Sequence, residues 1–252
     1  IHAIPDFFSA DLFFAELQGR KARIITSIAM LYDLESPIAF VEQIASVLAE
    51  DGVWHFEQSY MPSMLDVNAY DTVCHEHVEY YGLRQIKWML DRCGLKILDV
   101  EINEVNGGSF AVTAAPAASP LPANTARIEE ILMAENSLDT LPPYEAFAKR
   151  VSAHRDELRS TLAGIVASGA SLLGYGASTK GNVILQYCGF TAADIPAIAE
   201  VNPDKFGAFT PGTLIPIISE ADAHARKPDY FFVMPWHFRD NLLAREREFL
   251  AA

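Results

Sequence analysis

The hydrophobic period changes repeatedly along residues 22–116, and that alternation restricts the chain to few folds. "ARIITSIAML" (22–31) is a short, apolar, β-branched run that fits a buried parallel strand. "SPIAFVEQIASVLAEDG" (36–52) carries apolar residues at 40, 41, 44, 47 and 48, the helical repeat, and is expected to close on Gly52. "GVWHFEQSY" (52–60) reads as the next strand and "LRQIKWMLDRCG" (83–94) as an amphipathic helix. "LKILDVEINE" (95–104) and "SFAVTAAP" (109–116) read as two strands, and "NGG" (106–108) between them supplies the positive φ values of a tight hairpin. The sum is α/β, with a sheet that is mostly parallel until its last hairpin.

"PAASPLPAN" (116–124) is rich in Pro and Ala and reads as a linker, followed by helical stretches at 125–137 and 143–168. A second α/β pattern then begins. "SLLGYGASTKGNVILQYCG" (171–189) is strand, glycine-rich turn and helix, and strands follow within 195–205, 212–226 and 228–250, with Ser219 as an expected N-cap. The predicted layout is 1–116, a linker with helices over 117–170, and a second Rossmann-like domain over 171–252.

A net charge of −14 argues against non-specific binding to nucleic acid or to anionic lipid. No apolar run approaches the roughly 20 residues of a membrane span, and the first residues, "IHAIPDFFSADLFF", do not read as a signal peptide. They contain no Met, so the sequence is expected to start inside a longer protein. Three widely spaced cysteines give no disulfide framework and suggest a reducing, cytoplasmic setting.

Two stretches carry chemistry. In "GYGASTKG" (174–181) backbone N–H groups and a helix N-terminus would face an anion, and Ser178, Thr179, Lys180 and Asn182 add donors. The glycine spacing is neither G-x-G-x-x-G nor a P-loop, so a plain tight turn competes with a phosphate-bearing ligand. Glu200 ends the next strand, where a ribose-binding carboxylate would sit.

The other stretch is "DTVCHEHVEYYGL" (71–83). Metal binding fails on inspection, because H-E-H is not H-E-x-x-H and Cys74, His75 and His77 have no obvious further ligand. A solvated turn sits poorly with Val73, Val78, Tyr80 and Tyr81. An acid/base site remains, since a carboxylate can orient an imidazole that titrates near neutrality. On geometry alone either His75 or His77 could be the base.

"YDTVCHEHVEYYGL", "NGGSF", "GYGASTKGNVILQYCG", "VNPDKFGAFTPGTLIPI" and "MPWHFRD", in that order, resemble the S-adenosylmethionine-dependent sugar C-methyltransferases. These enzymes act on nucleotide-linked 4-keto-deoxysugars. The resemblance implies the C-terminal half of a class I methyltransferase Rossmann-like sheet, then a second Rossmann-like α/β domain that helps hold the nucleotide sugar. The family's zinc-binding N-terminal module and its glycine-rich, acidic donor loop are expected to be absent from this chain, so zinc would belong only to the missing module. The resemblance makes His77 the general base and Glu76 its support. It sets Asp33 and Cys74, which depart from the His and Tyr of many relatives, toward the sugar. Tyr80, Asn106 and Ser109 are candidates to stabilise the enolate oxygen, and Ser27, Ala29 and Tyr32 to touch the donor. Ser178, Thr179, Lys180 and Asn182 would meet the nucleotide diphosphate, with Asn202, Lys205 and Trp236 nearby. A non-catalytic nucleotide-sugar module and an NAD-dependent sugar oxidoreductase are the competing readings. A half-sheet leaves an unpaired edge, so a homo-oligomer or a longer parent protein is expected.

Overall fold

The computed structural model describes residues 2–251. Its contacts divide into two compact units, Ile1–Val67 with Glu76–Pro143, and Asn68–His75 with Tyr144–Ala252.

The first unit contains α1 (Ala10–Glu16), β1 (Ala22–Ile28), α2 (Pro37–Val47), β2 (Leu48–Ser59), α3 (Met61–Asp66), α4 (Leu83–Arg92), β3 (Leu95–Asn103), β4 (Ser109–Pro116) and α5 (Thr125–Ala134). Its sheet has the order β1-β2-β4-β3. β1 and β2 run parallel because α2 supplies the crossover that parallel neighbours need. β4 is antiparallel to both β2 and β3. The β3–β4 turn places Asn106, Gly107 and Gly108 at φ 53°, 90° and 120°, the positive values that "NGG" predicts. Gly108 is also required by space, since a Cβ there would lie 2.4 Å from Ser63 Cβ.

α2 ends earlier than its pattern suggests. The helix stops at Val47, and β2 begins at Leu48. Gly52 is therefore not a helix cap. It lies within β2 beside the β1–β2 register shift between Ala22 and Ile24, where a Cβ would stand 2.9 Å from Ala22 O. α1 lies in a stretch to which the sequence pattern gives no element. Ser9 caps it by accepting from Leu12 N, and Gln43 Oε1 accepts from Ala10 N.

The core of this unit is built on Trp54, Phe56, Phe110, Ile44, Leu83, Ile86 and Leu90. β1 forms one edge of the sheet, with Ile24 72% and Ile28 59% exposed.

The expected linker region is divided between the units. α5 belongs to the first, whose core takes Ile128 and Ile131, and one carboxylate just past it ties it to α4. Glu135, just past α5 and 3% exposed, accepts from Leu83 N (2.6 Å) and Arg84 N (3.0 Å), the orphan donors at the start of α4, and from Tyr60 Oη (2.8 Å). Burial, then the charge of Glu135, pushes the Tyr60 phenol well above its ordinary value, so it stays a donor.

The second unit contains most of α6 (Pro142–Ala167), then β5 (Leu172–Tyr175), α7 (Thr179–Cys188), β6 (Ile198–Glu200), β7 (Ile217–Ser219), α8 (Glu220–Ala225), β8 (Tyr230–Val233), α9 (Arg239–Arg245) and α10 (Arg247–Leu250). Its sheet, β7-β6-β5-β8, is parallel throughout. Ser219 caps α8, accepting from Asp222 N at 3.0 Å. Residues Asn68–His75 join this unit through Tyr70, which is buried in its core with Leu185, Ile195 and Ile198 and shares a 3.1 Å hydrogen bond with His154 Nδ1. No helix among the described residues is long and apolar enough to cross a membrane.

Glu135→Ala would strip three donors of their acceptor, two of them buried. Denaturant melting should show a loss of about 2–4 kcal/mol. Glu135→Gln, which keeps one acceptor, should lose less.

Candidate functional site

The boundary between the units falls inside the H-E-H stretch, after His75. Each unit contributes a cluster of its own.

In the first unit the cluster forms at the carboxyl ends of β1 and β2, where open α/β sheets bind ligands. The chain leaves β1 through Ala29, which takes φ 53° while its N–H donates to Glu57 O at 2.8 Å. A 3-10 turn, Leu31–Asp33, follows. The Tyr32 carbonyl accepts from Val78 N (3.0 Å) and Glu79 N (3.1 Å), which fixes the arm that carries the motif. The rings of Tyr32 and His77 lie 4.2 Å apart between centroids. Tyr32 is buried, His77 half-buried, and Glu76 and Asp33 exposed. Asp33 senses both motif residues. Burial raises its carboxyl above the ordinary range, His77 pulls it back, and Glu76 raises it again.

The structure thus brings Tyr32, Asp33, Glu76 and His77 together. The pairing of Ser59 with Ser109 carries the β3–β4 turn to the same end of β2. Ser109 is buried there and donates to Val105 O at 3.0 Å, while Asn106 is exposed on the turn and Tyr80 half-buried. Ser27 is engaged as acceptor from Trp54 Nε1 at 3.0 Å. His75 is exposed and Cys74 half-buried, both in the second unit.

The second unit gathers its cluster at the carboxyl ends of β5 and β8. Ser178 caps α7, accepting from Gly181 N at 3.0 Å, so Thr179, Lys180 and Asn182 fall in the first turn of that helix. Burial lowers the Lys180 ammonium below its ordinary value, opposed by Asp71 and Cys74. Asp71 is 2% exposed and its Oδ2 accepts from Trp236 Nε1 at 2.9 Å. Burial, then Lys180, lowers the His237 imidazole below its ordinary 6.5, against a smaller pull from Asp71. Asn182 Oδ1 and His237 Nδ1 are buried without a hydrogen-bond partner. Asp71 holds this cluster together, yet nothing in the sequence pattern singles it out. Its neighbours are distant in sequence, and only the excursion of residues 68–75 into the second unit unites them.

The glycine-rich turn serves packing as well as any ligand. Gly176 has φ 84°, and a Cβ there would lie 2.7 Å from Pro235. Glu200 braces the same turn, accepting from Ala177 N (3.1 Å), Val201 N (2.8 Å) and Asn202 N (3.0 Å). Burial would raise its carboxyl, but these N–H groups and Lys205 outweigh it and hold the group below the ordinary range. Lys205 donates to Ala177 O at 2.8 Å, and Asn202 Oδ1 accepts from Asp204 N at 3.0 Å. Both residues are engaged in building the turn.

Among the described residues one group of potential metal ligands comes together, Glu220, His224 and Glu246, none of them from the H-E-H stretch. Arg245 already contacts Glu220 at 2.7 Å, and Tyr175 Oη lies 2.6 Å from an oxygen of each glutamate, donating to one of them. These contacts pin the C-terminal helices.

Residues 104–252 match the family model described as the C-methyltransferase C-terminal domain, and residues 5–100 match a methyltransferase domain. The chain belongs to the C-methyltransferase family. It is 34% identical over 209 residues to C-methyltransferase NovU of Streptomyces niveus, an alignment covering 82% of this chain and 50% of the relative. The chain thus spans about half the length of that relative. Solved structures align over less. A Haloferax volcanii methyltransferase in complex with its activator is 11% identical, covering 38% of this chain and 54% of that one (TM-score 0.33). Magnesium protoporphyrin IX methyltransferase from Synechocystis with bound SAH is 13% identical, covering 39% and 46% (TM-score 0.32). The β1-β2-β4-β3 order, with its antiparallel β4, is that of the second half of a class I methyltransferase sheet.

The lowered His237 value has a sign. An unfolded histidine takes a proton near 6.5, and the folded one resists it, so the unfolded state binds more protons below that pH. Stability should therefore fall as pH drops below about 6.5. Thermal melts from pH 7.5 downward should show that slope, and His237→Asn should flatten it.

Proposed function

We propose that this chain forms the sugar-binding and proton-abstracting half of a C-methyltransferase acting on a nucleotide-linked 4-keto-deoxysugar. The observation that carries the reading is the seating of His77. Its ring packs on Tyr32 at the carboxyl ends of β1 and β2, with Glu76 and Asp33 in electrostatic reach of one another, in a chain of the C-methyltransferase family. His75, the other candidate base, is exposed and belongs to the second unit.

The 4-keto group acidifies the proton on C3. His77 takes that proton, and the C–H electron pair moves into a C3–C4 double bond, leaving negative charge on the C4 oxygen. Glu76 supports the imidazolium that results. Tyr80 and Asn106 are the candidate donors for the oxygen, since the Ser109 hydroxyl already donates to Val105 O. S-adenosylmethionine, the family's donor, supplies an electrophilic methyl group for the enolate carbon. The residues present fit one side of it. Ala29 is exposed at a positive φ at the mouth of β1, beside exposed Ile28, and offers a wall without a bulky side chain. Ser27 Oγ is taken up by Trp54 Nε1, and the Tyr32 carbonyl by Val78 and Glu79.

In the second unit, Lys180 with Thr179 and Asn182 faces the diphosphate at the N-terminus of α7, and Asp71 offsets part of what burial costs the lysine's charge. Trp236, held by Asp71, is the stacking surface for a base or sugar. This cluster is complete within the chain, which favours a nucleotide-sugar-binding module as the second reading. A dinucleotide oxidoreductase is disfavoured, because Glu200 is taken up by three backbone N–H groups rather than left for a ribose.

Proton abstraction can be tested without the methyl donor. The protein is incubated in D2O with dTDP-4-keto-6-deoxyglucose, and exchange at C3 is followed by NMR. Catalysed exchange is expected, reduced about 100-fold or more in His77→Gln and unchanged in His75→Gln. Binding without exchange would leave the module reading standing instead. Lys180→Gln should weaken dTDP binding about tenfold, and the loss should shrink as salt is raised.

A further inference from the structure

Two polar groups in the first unit are buried with nothing to bond. Gln58 is 1% exposed at the carboxyl end of β2, and neither Oε1 nor Nε2 has a hydrogen-bond partner among the described residues. Tyr81 is 5% exposed, and its hydroxyl is also unpartnered. An amide buried this way costs about 1–3 kcal/mol. Trp54 and Phe56 occupy the same face of β2 and show what the packing there would accept.

The position is telling. Gln58 follows Glu57, whose carbonyl accepts the last hydrogen bond from the β1 side before the chain turns into Leu31–Asp33. Tyr32 on that turn meets the His77 ring. The Tyr81 carbonyl accepts from Met61 N at 2.9 Å, which ties Tyr81 to the chain leaving β2. Tyr32, Tyr60 and Tyr81 share one buried cluster with Trp54 and Phe56. The orphaned amide thus lies beneath the carboxyl end of β2, and the Tyr81 phenol is buried in the cluster that also holds Tyr32 of the turn against His77.

We infer that Gln58 recognises a ring hydroxyl of the sugar, with the Tyr81 phenol as a second buried donor, and so sets which deoxysugar is accepted. The inference rests on the nucleotide-ketosugar reading above. A carboxamide presents a donor and an acceptor side by side. A keto oxygen uses only the donor, and a phosphate does the same. A hydroxyl uses both, because it donates one hydrogen bond and accepts another. A site built this way discriminates strongly against the analogue that lacks the hydroxyl, since its own amide is then left unpaired. Tyr81 stays protonated, its phenol pushed above the ordinary value by burial and then by Glu79, and so remains a donor.

The test is calorimetric titration of the protein with dTDP-4-keto-6-deoxyglucose and with its 2-deoxy and 3-deoxy counterparts. One deoxy analogue is expected to bind about tenfold or more weakly to the wild type. Gln58→Met, close to isosteric, should erase that gap by losing affinity for the hydroxylated sugar alone. Tyr81→Phe should narrow the gap. If Gln58→Met does not fold in a thermal melt, Gln58→Asn, which withdraws the amide and keeps its polarity, should narrow the gap instead. Equal affinities of the wild type for all three sugars, or a gap that survives substitution, would overturn the role of Gln58 while leaving the nucleotide-sugar reading intact. Failure of the wild type to bind any of the three would overturn that reading and this inference together.

Discussion

The Tyr32 carbonyl, with the N–H groups of Val78 and Glu79 pointed at it, is the contact on which the site depends. A polypeptide arm outside regular secondary structure would otherwise have no fixed register against the sheet. Two hydrogen bonds to one oxygen set that register, and the ring contact between Tyr32 and His77 follows from it. Tyr32 in turn is held because β1 ends in a turn that a parallel sheet imposes. A strand that must hand its chain to a crossover helix has to bend away at its carboxyl end. Ala29 absorbs that bend at φ 53°, a conformation costing an L-residue about 1–2 kcal/mol.

Much of this was legible in the residues. The β-branched runs and helical repeats carry the strand order of both units and the longer helices, because period is local and needs no partner, but not the short α1 and α3. "NGG" gave the hairpin, since positive φ is a property of the turn itself. Gly52 misled, because a glycine after a helical pattern and a glycine in a bulge look alike in sequence. Only the approach of Ala22 O distinguishes them. The division into units was also hidden. Glu135 is an ordinary acidic residue in the sequence, and its assignment depends on the first turn of α4, far away along the chain.

The same limit applies at the candidate site. H-E-H stands out as a dense run of titratable groups, yet its composition cannot rank His75 against His77. The structure separates them only in burial and in unit. Asp71 carries no mark in the sequence, although its carboxylate organises Trp236 and answers the charge of Lys180. An overall charge of −14 also makes a half-buried lysine more telling. A negatively charged chain that ligates an anion must concentrate its positive charge locally, and the first turn of α7 adds N–H groups to that charge.

Apart from Gln18, at φ 53° after α1, departures from local rules in the first unit gather toward one end of its sheet. Ala29 at positive φ, the unpartnered Gln58 amide and the unpartnered Tyr81 hydroxyl all belong to the carboxyl ends of β1 and β2 or to the chain packed there. Among the other described residues of that unit, no further buried side-chain nitrogen or oxygen lacks a partner. Glu135 has three donors, and Ser109 donates to Val105. A fold that solves its polar burial so fully in one place does not leave an amide unpaired in another for want of an apolar substitute. Sequences specify a structure by agreement among propensity, packing and polar satisfaction, and the exceptions collect where a ligand completes the set. The unsatisfied end of β2 is read most simply as a surface whose last hydrogen bonds are made by the molecule it binds.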